Sequence, residues 1–383
     1  MKKTVNRMSI NNNTKKLLSV LLTAGLLTGT ACGKQTQGNG EVTPEPEPLK
    51  MAIHRTSATS FDVFVPQSDG KDVLVHHFVH QYYSSALNYG DGKQKTILCG
   101  DVWYPEYIKK QGELDCIQGN LNFIFYTNPN IAGYENEACH VGAGHGCEIR
   151  NSQKFYADGT EFDPDSSFED IECSELRIVL NSNVYAVDAT QPGHKSSRAL
   201  PKLDAEGNLV LTAVHDYDAV YKTDNTIEWD NSLEIKRDNL QFKQAHGGML
   251  QGKAQFFNMV TIGDENESTN KFTYDASHNV TTTPIGNCPK FDGSRFHKAS
   301  WLKMFGKGIT VTQTMSQAGD RSGENYLMFI FYSGASTNDP TMDRLKVYMQ
   351  PVKSIDHFGA AGAEFFNKGD KIQVHLKRTI ELY

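Results

Sequence analysis

The sequence predicts a mainly β protein, an antiparallel sandwich or jelly-roll-like body with one amphipathic helix near its start. Three observations carry this expectation. Apolar and polar residues alternate with period two in many short runs, the pattern of a strand with one buried and one wet face. Turn residues rich in Gly, Asn and Asp recur between the runs. One stretch departs from period two and spaces its apolar residues as a helix does.

That stretch begins at Val75, and Phe78, Val79, Tyr82, Tyr83, Ala86 and Leu87 continue it. Ser68, Asp69 or Asp72 can cap its start and Gly90 can end it. A shorter helical turn is expected over residues 106–110, after Pro105. Strands are expected over residues 96–104, 121–127, 176–187, 209–214, 255–262, 309–315, 327–332 and 345–350. The clearest is the last in the chain. Ile372, Val374, Leu376, Ile380 and Leu382 all sit at even positions, and only Arg378 interrupts them. The tetrapeptide Phe-Ile-Phe-Tyr occurs at 123–126 and again at 329–332, which would mark a weak internal repeat. The polar stretch 191–208 divides the body into β-rich segments 51–195 and 205–383, either two domains or one continuous fold.

The start of the chain reads as an address. Residues 1–31 hold five basic side chains (Lys2, Lys3, Arg7, Lys15, Lys16), no acidic one, and an apolar run over 17–28. That run is shorter than the roughly 20 residues a membrane-spanning helix needs, so the segment reads as a secretory signal peptide. The sequence Leu26-Leu27-Thr28-Gly29-Thr30-Ala31-Cys32 resembles a bacterial lipobox. The resemblance implies lipidation at Cys32 and an N-terminal anchor in a lipid bilayer. Gly33 after the cysteine implies the outer membrane of a double-membrane bacterium. Residues 32–50, with Pro44, Pro46 and Pro48 alternating with Glu, have nothing to bury and form an extended tether.

Removing the five cations of the leader takes the formal charge from −7 to −12. No basic block remains, which excludes nucleic acid as a primary partner. Six cysteines follow Cys32: Cys99, Cys116, Cys139, Cys147, Cys173 and Cys288. An even count in an exported chain predicts three disulfides. Cys99–Cys116 and Cys139–Cys147 are the economical close pairs, with Cys173–Cys288 crossing the body.

Several clusters could carry chemistry. His76 and His80 would lie one turn apart on the predicted helix, a common metal-binding spacing. The glycine-rich loop 139–148 brings His140 and His145 close to Glu148. Asp163 and Asp165 lie in an acidic, oxygen-rich loop of the kind that suits calcium. No motif requires a cofactor; zinc or calcium are the cations these clusters would take. Trp103, Trp229 and Trp301 offer flat amphipathic surface for a ligand. No complete catalytic constellation is present. Asp170-Ile171-Glu172 resembles part of the laminarinase-like pattern Glu-x-Asp-x-Glu, but its first position is Phe168. The strand ending at His215 resembles the histidine strand of trypsin-like proteases, yet Arg321 separates Asp320 from Ser322 in the loop that would hold the nucleophile. The expectation is a cell-envelope lipoprotein whose sandwich binds a glycan or an envelope protein without catalysis. The alternative is a tethered hydrolase or lyase acting on extracellular polysaccharide.

Overall fold

The computed structural model describes residues 48–383 apart from 69, 71, 114, 119–120, 122–123, 128–139, 196, 254–255, 265–266, 274–295, 319–325 and 333–343. The leader, Cys32, most of the tether, Cys139 and Cys288 lie outside the described residues. In the first half the strands are β1 (Met51–Ser57), β2 (Ser60–Pro66), β3 (Val73–Tyr89), β4 (Lys93–Lys110), β5 (Asp115–Gln118), β6 (Ile124–Thr127), β7 (Glu148–Ala157), β8 (Thr160–Phe162), β9 (Ile171–Cys173) and β10 (Glu175–Tyr185). The second half adds β11 (Leu211–Lys222), β12 (Thr226–Ile235), β13 (Phe242–His246), β14 (Gly248–Lys253), β15 (Phe257–Asp264) and β16 (Glu267–Thr273). It ends with β17 (Phe296–Lys298), β18 (Trp301–Gly306), β19 (Ile309–Ala318), β20 (Tyr326–Tyr332), β21 (Arg344–Gln350), the helix α1 (Ile355–Gly362) and β22 (Lys371–Leu382).

The sheet divides at β4. Tyr107, Ile108 and Lys109 pair antiparallel with β5, while Asp101 meets Ile149 of β7 in a single parallel step. One leaf runs β9-β1-β2-β3-β4-β5-β14-β21-β20-β17. The other runs β8-β7-β10-β11-β12-β22-β19-β18-β15-β16. Their inner faces meet. Phe61 and Phe78 of the first leaf contact Phe155 and Tyr221 of the second at ring distances of 5.8 and 5.5 Å. One continuous apolar cluster runs from Met51 to Ile380 and draws on both halves of the sequence. Strand β10 also pairs with β11 along its length, across the polar stretch 191–208. The two Phe-Ile-Phe-Tyr segments are not equivalent: Ile124–Thr127 forms a small ribbon with β13, whereas Tyr326–Tyr332 lies inside the first leaf.

The expected N-terminal helix is a strand, and so is the expected turn over 106–110, which belongs to β4. The described helix, α1, lies near the C-terminus. The reason is a change of buried face along β3. Leu74 and Phe78 point into the main core, while Tyr83 and Leu87 point the other way, into a second cluster with Cys99, Leu200 and Leu203. Even positions are buried first and odd ones afterwards, so the summed spacing imitates a helix. The β-branched and aromatic content of the segment favours the strand.

The disulfide expectation also fails where it is described. Cys99 and Cys173 carry buried free thiols, so neither Cys99–Cys116 nor Cys173–Cys288 forms. Cys99 lies in the second cluster, whereas Cys116, Cys147 and Cys173 lie in the main one. Burial pushes the Cys99 and Cys173 thiols up to about 11 and about 12. Such thiols are poor nucleophiles and behave as small apolar side chains.

Candidate functional site

The loop 141–147 is a single 3-10 turn, Ala143–His145, between Gly142 and Gly146. It is pressed onto β3 and β4. A Cβ on Gly144 would stand 2.8 Å from the Tyr104 ring, and one on Gly146 would stand 1.9 Å from the Tyr83 hydroxyl. Only glycine fits either place. This compression sets the His140 and His145 rings 5.3 Å apart. From the far end of the sequence β13 adds His246, 5.6 Å from His140, and β21 adds Tyr348, stacked on His246 at 3.7 Å. Tyr348 alternates with the core residues Val347 and Met349, so it faces outward from the first leaf. Burial, with the charges of His145, Lys346 and Lys243, lowers His140 to about 3. Burial raises Tyr348, and with Glu106 it raises Tyr104 to about 12. At neutral pH the cluster therefore offers a neutral imidazole beside protonated phenols. His140 and His145 are partly buried, whereas His246 is fully enclosed.

A polar relay inside the sandwich holds this cluster. Glu148 Oε2 accepts the Ala143 N–H at 2.5 Å, and its Oε1 meets His215 Nδ1 at 2.8 Å and the Ser182 hydroxyl at 2.6 Å. His215 Nε2 meets Asn231 Oδ1 at 3.2 Å. Asn231 Nδ2 donates to Leu121 O at 2.6 Å and Gly247 O at 3.0 Å. The relay thus runs from the loop of His140 and His145 to the residue after His246. Burial works against both charges. The pair overcomes it, because His215 holds Glu148 below the ordinary carboxylate value and Glu148 holds His215 above the ordinary imidazole value.

A second network closes the rim where β4 meets β7. His80 Nε2 meets Asp101 Oδ1 at 2.8 Å and its Nδ1 meets Asp165 at 3.3 Å. Arg150 bridges the same carboxylates at 3.0 and 2.6 Å. The Trp103 indole N–H donates to Asp165 at 2.9 Å, and its ring stacks on His80 at 4.8 Å. Burial opposes the Asp101 charge, but His80 and Arg150 hold its pKa down.

The third feature is a trough of about 360 Å³ on the outer face of the second leaf. Register builds it in two rows. Asn181, Asp216, Ser232 and Gln373 stand side by side across β10, β11, β12 and β22. Val179, Asp218 and Asp230 form the next row, with His375 beside Asp230 at its edge. Asp218 faces Asp230 directly, a like-charge pairing that sheets avoid. Asn181 donates to Asp216 at 2.7 Å, and Arg177 donates to both oxygens of Asp218 at 2.9 and 2.6 Å. His375 meets Asp230 at 3.0 Å.

Comparison with known proteins gives two results. No family model matches the chain, and no curated protein matches its sequence. Among solved structures it is similar to the GH36 α-galactosidase AgaB of Geobacillus stearothermophilus, at 8% identity and TM-score 0.37, covering 86% of this chain and 41% of that one. It is also similar to a galactose 1-epimerase from Lactobacillus acidophilus NCFM, at 9% identity and TM-score 0.28, covering 79% of this chain and 99% of that one. The chain thus spans less than half the length of the galactosidase.

The structure redistributes the residues singled out in the sequence. His76 and His80 are four residues apart on a strand, about 13 Å along it rather than one helical turn. His76 is buried against Tyr221, and His80 is at the rim. His80, Trp103 and Asp165, read as parts of three separate clusters, meet in one network. Asp163 closes its own turn, accepting from Ser166 at 2.6 Å. Trp229 is enclosed in the core, and Trp301 is half-buried on β18. Among the described residues, no three His, Cys, Asp or Glu side chains converge as a metal ion requires. Sequence reasoning missed His246, Tyr348, Arg150 and the trough. Only the alternation of Asp216 and Asp218 on an otherwise apolar strand signalled any of them.

Proposed function

We propose that this chain is an exported lipoprotein, anchored through Cys32, whose sandwich binds a neutral glycan in the outer trough. The trough carries the reading. Its two rows hold carboxylate, amide and hydroxyl groups at fixed register, so acceptors and donors lie at strand spacing for adjacent sugar hydroxyls. Three carboxylates line it, with only Arg177 and His375 beside them, and this balance disfavours anionic polymers such as uronic acid chains. The test is binding of the purified chain to a panel of neutral and acidic glycans, followed by calorimetry on any hit. Asp216→Ala and Asp230→Ala are each expected to weaken binding at least tenfold. Absence of any neutral glycan ligand, or binding indifferent to both variants, sinks the reading. For the anchor, palmitate labelling in the producing cell should disappear in Cys32→Ser.

A second reading, a polysaccharide lyase or hydrolase, is favoured by the cluster of His140, His145, His246 and Tyr348. Imidazole and phenol side chains packed together are the residue types that general acid–base chemistry uses. Turnover of a polysaccharide that is lost in His140→Ala and unaffected by Asp216→Ala would move the function to this cluster.

A further inference from the structure

Arg378 is the one residue that breaks the alternation of the last strand, and it points inward with Val374, Leu376 and Ile380. Its side chain is 1% exposed. An unpaired guanidinium in such a place costs several kcal/mol, and buried cations are normally matched by a carboxylate. Here the partners are neutral. Nε and Nη2 donate to Gln313 Oε1 at 2.9 and 2.6 Å, and Nη2 donates to Met249 O at 3.0 Å. Nη1 takes part in none of these bonds. The groups that act on its charge are Tyr217 and Tyr221, with no acid among them.

The surroundings repeat the imbalance. The guanidinium lies over the Trp229 ring at 5.4 Å, and the Trp229 indole N–H is buried without an acceptor. The Tyr217 and Tyr221 hydroxyls are buried close to one another and neither makes a hydrogen bond. His76, edge-on to Tyr221 at 5.5 Å, has its Nδ1 buried without a partner. One full positive charge without an anion and one donor-only indole N–H without an acceptor thus lie between the leaves, among phenols and an imidazole that carry no charge. Ordered water would satisfy the donors but leave the charge unmatched. A cation would be repelled.

We infer that the interior of the sandwich holds one small inorganic anion of chloride's size, bound by Arg378 and the Trp229 N–H between the two leaves. The site is separate from the outer trough and from the histidine cluster, and its role is to complete the core. The purified full chain is refolded in sodium bromide and, in parallel, in sodium gluconate at equal ionic strength. Bromide crystals are expected to show an anomalous peak within hydrogen-bond distance of Arg378 Nη1. In solution, Tm should be about 2–4 °C higher in bromide or chloride than in gluconate, and the rise should grow with the logarithm of halide concentration at constant ionic strength. Arg378→Met should abolish the halide dependence. If that variant does not fold, the wild-type diffraction decides alone. Water or an empty space at Nη1, or identical Tm values in halide and gluconate, overturns the proposal.

Discussion

Two carboxylate–histidine pairs in this molecule have the same length and different environments. His215–Glu148 and His80–Asp101 are both 2.8 Å apart. The first is wholly enclosed between the leaves. The second sits at a rim, joined by Arg150 and by a third carboxylate that is over a third exposed. Distance alone would rank them equal. Burial separates them, because a group stranded by loss of its partner finds water at the rim and none in the core.

Glu148→Ala breaks that equality most sharply. Urea denaturation should show a loss of about 3–5 kcal/mol, since His215 and the Ala143 N–H lose the carboxylate that faces them in the core. The double variant Glu148→Gln/His215→Gln should lose distinctly less, because neither buried group remains charged. Equal losses in the single and double variants would show that packing, not charge, holds the loop.

The pH dependence sharpens the contrast further. Glu148 is held below its ordinary 4.5, so its stabilisation is present above about 4.5 and is lost as pH falls. His215 is held above its ordinary 6.5, so its stabilisation is complete below 6.5 and is lost as pH rises through the folded value. The pair therefore supports the fold best between 4.5 and 6.5, and the gap between wild type and the double variant should be widest there. His76 and His140 act in the opposite sense. Both are lowered to about 3 by burial, so the wild type should lose stability as pH falls below 6.5. The slope should be about 1 kcal/mol per pH unit for each. His76→Phe should flatten its share of that slope in pH-dependent chemical denaturation.

At the rim the expected effects are small. Asp165→Asn should cost no more than about 1 kcal/mol, and the cost should shrink in high salt. A loss of several kcal/mol would mean that the rim network is as shielded as the core pair. The thiols give the least effect of all. Cys99 and Cys173 should resist alkylation in the native protein and react fully after denaturation, as read by mass spectrometry. Labelling of either in the folded state would show that its cluster opens.

Much of the fold was legible in the sequence because period two is a local signal. The runs at 309–315, 327–332 and 345–350 fall in strands, and the run 176–187 does so as far as residue 185. The misreading of β3 shows the limit of that signal. Periodicity reports which positions are buried and is silent on which partner buries them. Val75, Phe78, Tyr82 and Leu87 fit a helix only while one neighbour is assumed, whereas β3 meets two.

The candidate sites were less legible for a related reason. The loop with His140, His145 and Glu148 was visible as a dense local motif. Its partners His246 and Tyr348 lie about 100 and 200 residues away along the chain and were chosen by register. Asp216 and Asp230 became neighbours in one trough only once β11 and β12 had paired. The sequence by itself determined the β character, the turns and the acidic composition, since each rests on residues close in the chain or on their count. The tertiary structure alone decided which carboxylates share a trough, which histidines are held above or below their ordinary value and which arginine is left without an acid. Those outcomes depend on solvent exclusion and on contacts between distant strands, and no local pattern encodes either.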